Sequence, residues 1–86
     1  MNIYHPTYSE ALSEMKTNVI ERGFYIDDDV WFNVIACGSK RPRDGETTRL
    51  KVPLHKDDKP TRKYVEVQVY NRGTDKNPFE LNMYIC

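Results

Sequence analysis

Arg62-Lys63-Tyr64-Val65-Glu66-Val67-Gln68-Val69-Tyr70-Asn71 decides the fold. Valine occupies every second place from 65 to 69, with polar or aromatic residues between. A period of two marks a strand with one face buried and the other in water, and β-branched side chains suit that pleated surface. The spacing predicts a strand from Arg62 to Asn71, with Val65, Val67 and Val69 inward and Tyr64, Glu66, Gln68 and Tyr70 outward.

The same alternation extends on both sides of it. Arg49 to Leu54 places Leu50, Val52 and Leu54 on one face and Arg49 and Lys51 on the other. Pro53 has no amide hydrogen for a ladder, so this strand is expected at an edge or to end there. His55 to Pro60 and Arg72 to Pro78 read as turns. Phe79 to Cys86 closes the chain with Leu81, Met83 and Ile85 facing one way and Asn82 and Tyr84 the other. Farther back, Val30 to Ala36 alternates as well and is expected to be the first strand. It follows an extended Phe24-Tyr25-Ile26 and an Asp27-Asp28-Asp29 turn, and a long polar loop runs from Cys37 to Thr48.

The amino-terminal quarter has a different period. Thr7-Tyr8-Ser9-Glu10 fits a capping box, in which the threonine oxygen accepts from a free amide of the first turn. Tyr8, Leu12, Met15 and Val19 then fall on one helical face, and Gly23 after Arg22 supplies a residue able to take positive φ at the stop. The expectation is a helix over about residues 8 to 22. Together these elements predict one α+β domain over residues 1–86. A single N-terminal helix covers one face of an antiparallel, meander-like sheet of about four strands.

Thirteen basic and thirteen acidic residues leave no net charge, but their placement is uneven. Residues 38–63 carry nine bases against four acids, while residues 1–37 carry two against six. A neutral chain can thus present a basic edge to an anionic partner. Two cysteines without a CxxC pair argue against a disulfide framework. No apolar run nears the roughly 20 residues of a membrane span, and the start lacks the basic and apolar regions of a signal peptide. A cytoplasmic protein with no membrane partner is expected.

Catalytic groupings are hard to assemble from this sequence. His5 and His55 sit in no nucleophile motif, and Cys37 beside Gly38-Ser39, with Lys40 and Arg41 nearby to lower its pKa, is the arguable nucleophile. Three successive aspartates at 27–29 do not converge in extended backbone, and no calcium-loop or zinc spacing is present. The expectation is therefore no enzyme, no cofactor and no metal.

The basic segment carries more information. Lys40, Arg41 and Arg43 form a cationic arm, and Arg49, Lys51 and Arg62 belong to strands whose outward faces also bear Tyr64, Tyr70 and Tyr84. Cations interleaved with aromatic rings bind single strands of nucleic acid, where phosphate meets charge and bases stack on rings. The same residue types are favoured at protein interfaces. An ordinary solvated face is the third reading. A protein partner is placed first and nucleic acid second, with the oligomeric state left open.

Two resemblances bear on function. Glu21-Arg22-Gly23-Phe24, Gly38-Ser39 and Lys51-Val52-Pro53-Leu54-His55-Lys56 resemble the HicA-type mRNA interferase toxins, which run helix, Gly-Phe, strand, Gly-Ser-His and a Val-Pro-x-His strand end. Lys40 stands where that family's catalytic histidine would follow Gly-Ser, and strands replace its closing helix, so no catalytic site carries over. Gly45-Glu46-Thr47-Thr48-Arg49, Lys59-Pro60-Thr61-Arg62-Lys63 and Phe79-Glu80-Leu81-Asn82-Met83-Tyr84-Ile85, in a short tyrosine-rich neutral chain, resemble small bacteriophage proteins. That resemblance implies a host-takeover role, as an inhibitor occupying a surface of a host macromolecule such as a defence nuclease.

Overall fold

A computed structural model describes residues 2–38, 40–74 and 76–86, and at 36–38 the backbone alone. Among these residues the chain forms strand β1 (Tyr4–His5), helix α1 (Tyr8–Glu21), a short helix α2 (Asp28–Phe32), a π-helical turn (Asn33–Gly38) and strands β2 (Thr47–Lys56), β3 (Lys59–Asn71) and β4 (Phe79–Ile85). The sheet is antiparallel with order β1-β4-β3-β2. Hairpins join β2, β3 and β4 in sequence, and β1 returns to lie beside β4. This is the α+β architecture expected, with the helix at the amino-terminal end.

Helix α1 begins where the Glu10 amide donates to Thr7 Oγ1 at 3.1 Å. It ends in a Schellman motif: the Phe24 amide donates to the Val19 carbonyl and the Gly23 amide to the Ile20 carbonyl, with Gly23 at φ 87°. Tyr8, Ala11, Leu12, Met15 and Val19 pack on Val52, Leu54, Val65, Val67, Val69, Phe79 and Leu81, all buried. Burying such side chains contributes about 1.5–3 kcal/mol each before the entropy of ordering is subtracted.

Pro53 sits where its missing amide hydrogen does no harm. Tyr64 opposite it exchanges both backbone hydrogen bonds with Cys86, so the Pro53–Tyr64 pair is not itself hydrogen-bonded and the Pro53 backbone faces away from β3. Pro53 thus lies on the edge strand, as its chemistry requires, beside an irregularity between Pro53 and His55.

The strand expected at Val30 to Ala36 is instead α2 and the π-helical turn. Val30, Trp31 and Val34 are the partly buried residues of this stretch that pack on the core, a helical spacing, while Phe32 is exposed. Asp28 and Asp29 lie in the first turn, where negative charge suits the positive end of the helix dipole. Trp31 is further held by the Lys16 ammonium of α1, 4.6 Å from its ring centroid. The strand of the HicA pattern after Gly-Phe is thereby absent from the described residues, and Tyr4–His5 supplies the remaining strand. The turn expected over His55 to Pro60 is tighter too. Asp57 and Asp58, both at positive φ, close a two-residue hairpin between Lys56 and Lys59.

Candidate functional site

The face of the sheet turned away from α1 is built by register. Tyr4, Glu80, Tyr70 and Thr47 make one row across the four strands, and Tyr84, Glu66 and Lys51 make another. Asn82, Gln68 and Arg49 lie between those rows, and Tyr64 stands opposite Pro53. Tyr4, Tyr70 and Tyr84 are exposed. A depression of about 280 Å³ lies between β2 and β3, lined by Arg49, Lys51, Glu66 and Gln68 with Leu50 and Val67.

Glu66 organises the centre of this face. Its carboxylate accepts from the Tyr84 hydroxyl and lies 3.5 Å from Lys51 Nζ. The Lys51 ammonium is also 5.0 Å from the centroid of the Tyr64 ring. Tyr64 first, and then the hydrogen bond and charge of Glu66, hold the Lys51 pKa above its ordinary value. Lys51 is therefore a cation already answered within the face. Arg49 makes no ion pair among the described residues.

The structure thus brings together Arg49, Lys51, Tyr64, Tyr70 and Tyr84, with exposed Arg62 beyond Tyr64 toward the hairpin. It places Arg41 of the cationic arm elsewhere. The Lys40 carbonyl accepts from the Thr48 hydroxyl, and the Arg41 guanidinium stands 5.2 Å from the ring of buried Phe79, which lies on the helix-facing side. Pro42 is buried and Arg43 exposed. The arm is therefore held down at Pro42, while Lys40, Arg41 and Arg43 remain exposed. Its anchor is buried Asn71, whose side-chain amide donates to the Pro42 carbonyl and the Asp44 carboxylate and whose oxygen accepts from the Gly73 amide.

Tyr4 was not legible as part of this face, because a two-residue strand carries no readable period. Its ring has the Arg72 guanidinium 4.2 Å from the centroid.

The two histidines lie on opposite edge strands. His5 on β1 is buried, with Nε2 2.8 Å from the Asn2 carbonyl, and His55 on β2 meets the Tyr25 ring edge-on at 5.5 Å. The Tyr25 hydroxyl donates to Asp58, and partial burial, followed by the charge of Asp58, raises its pKa. Ser39 and the side chain of Cys37 lie outside the described residues, while Cys86 is an exposed free thiol. Among the described residues no three His, Cys, Asp or Glu side chains converge as a metal site would need, and no helix is long and apolar enough to cross a membrane.

An α+β domain with an open antiparallel sheet and a tyrosine-bearing outer face is the class these features define. Set against protein-family models, curated proteins and solved structures, the chain matches none of them.

Proposed function

We propose that this chain is a non-enzymatic binding protein that acts by covering a surface of another protein with its outer sheet face. The observation that carries this reading is Glu66 at the centre of the face, holding Lys51 and the Tyr84 hydroxyl. A carboxylate there neutralises a cation that phosphate would need, whereas exposed tyrosines around a satisfied polar centre suit a protein interface. Arg41, a contact expected under either reading, stands at Phe79 away from this face and so favours neither. The separation of His5 from His55 on opposite edges supports binding rather than catalysis. The resemblance to small bacteriophage proteins adds the class of partner: a host protein in the bacterial cytoplasm, with a defence nuclease among the candidates.

The second reading, a single-stranded nucleic-acid binder, draws on the same rings with Arg49 and Arg62. Capture from bacterial lysate with tagged protein, before and after nuclease treatment, separates the two. Retention of one protein after nuclease, lost with Tyr70→Ala or Tyr84→Ala, is the expected result. Loss on nuclease treatment would replace it with the nucleic-acid reading.

A further inference from the structure

The outward edge of β2 is a row of backbone groups whose direction the register fixes. Tyr64 bonds to Cys86 rather than to Pro53, and Tyr25 and His55 exchange both backbone hydrogen bonds on the far side of β2. Alternate residues of a strand point their amides the same way, so Thr47, Arg49 and Lys51 share the outward direction of Pro53 and His55. Tyr25 occupies His55, and Pro53 offers no donor. Thr47, Arg49 and Lys51 remain, and among the described residues no backbone group outside the sheet bonds to them.

Beside this row lies a second feature. An apolar cleft of about 270 Å³ opens between α2 with its π-helical turn and β2, lined by Val30, Val34, Leu50 and Pro53 with Asn33. It faces the side of the sheet to which Leu50 points. A strand added at the edge would alternate its side chains between that cleft and the outer face, where Arg49 and Lys51 stand.

We propose that β2 takes up an extended acidic segment of a partner protein as an added strand from Thr47 to Lys51. An acidic side chain would lie beside Arg49, the cation of this row that no ion pair answers among the described residues, and the intervening apolar ones would enter the cleft. Charge decides against a second copy of this chain as the occupant. Antiparallel self-pairing centred on Leu50 sets Arg49 opposite Lys51, and like charges directly opposite are destabilising. This inference rests on the reading of a protein partner and adds the edge to the face.

The probe is a short peptide of alternating glutamate and valine, followed by nuclear magnetic resonance on the isotope-labelled protein. In the free protein the amides of Arg49 and Lys51 should exchange quickly and those of Leu50 and Val52 slowly. With the peptide, the Thr47, Arg49 and Lys51 amides should shift and gain protection. Thr47→Pro, which removes an outward donor and leaves the β3 ladder intact, should weaken binding about fivefold. Arg49→Glu should weaken it about tenfold or more. A matching lysine–valine peptide should not bind.

Failure of the glutamate–valine peptide to bind, equal binding of both peptides, or shifts confined to Tyr70 and Tyr84 would overturn the proposal. So would a dimer in sedimentation with the Arg49 and Lys51 amides already protected. If capture of a host protein survives Thr47→Pro and Arg49→Glu but not Tyr84→Ala, the face stands and the edge falls. If capture disappears with nuclease, both fall.

Discussion

The side-chain amide of Asn71 donates to the Pro42 carbonyl at 3.0 Å, which holds the basic loop against the helix-facing side of the sheet. Asn71 is 4% exposed, and its backbone also bonds the same loop, accepting from Gly45 and donating to Glu46. Removing its side chain leaves the carbonyl of buried Pro42 without its partner. Asn71→Ala should cost about 2 kcal/mol in urea unfolding and speed amide exchange over residues 44–46. Unchanged stability would mean the loop is held by other contacts.

Val67 is fully buried in the central strand β3. A charge there meets apolar neighbours and no partner, so Val67→Asp should abolish the cooperative melt followed by circular dichroism. A parent-like melting temperature would contradict the register on which the outer face is built.

Two turns respond in opposite directions to glycine. Gly23 at φ 87° meets no atom within 4 Å of an added Cβ, so Gly23→Ala tests backbone strain alone and should lose about 1 kcal/mol. Asp57 takes φ 52°, and Asp57→Gly, which leaves the Tyr25–Asp58 hydrogen bond in place, should gain about 1 kcal/mol by easing the same strain. Urea midpoints read both.

Alkaline pH tests the Tyr25 environment. Its pKa is raised in the folded chain, so the fold favours the neutral phenol. That stability is fully present below the unfolded value near 10 and is lost as pH climbs through the folded one. The raised pKa of Lys51 acts in the same direction, its charged form being the favoured one. Stability should therefore fall above about pH 10, and Tyr25→Phe should shrink that fall without removing it. An identical alkaline profile in the variant would remove Tyr25 from the account.

Binding to the captured partner should depend modestly on salt and strongly on rings. Tyr64→Ala or Tyr70→Ala should each cost about 2 kcal/mol of affinity in calorimetry, while Arg41→Ala should change it little. A steep log-linear salt dependence, flattened by about one unit on Arg49→Ala, would instead mark phosphate contacts.

Alternation at Val65 to Val69 and the Thr7 and Gly23 signals determined the helix, the three long strands and the side each residue faces. These are local properties: side-chain period and terminal hydrogen bonds are set by residues near in sequence. They also placed Arg49, Lys51, Tyr64, Tyr70 and Tyr84 on one face. Tertiary structure decided three further matters. Val30 to Val34 is helical because a short apolar run fits either period, and packing of Val30, Trp31 and Val34 selects one. Tyr4 joins the outer face because β4 offers the Leu81 amide to the Ile3 carbonyl, a partner 78 residues away. Arg41 leaves that face because buried Asn71 must satisfy its amide, and the Pro42 carbonyl is what the fold brings to it.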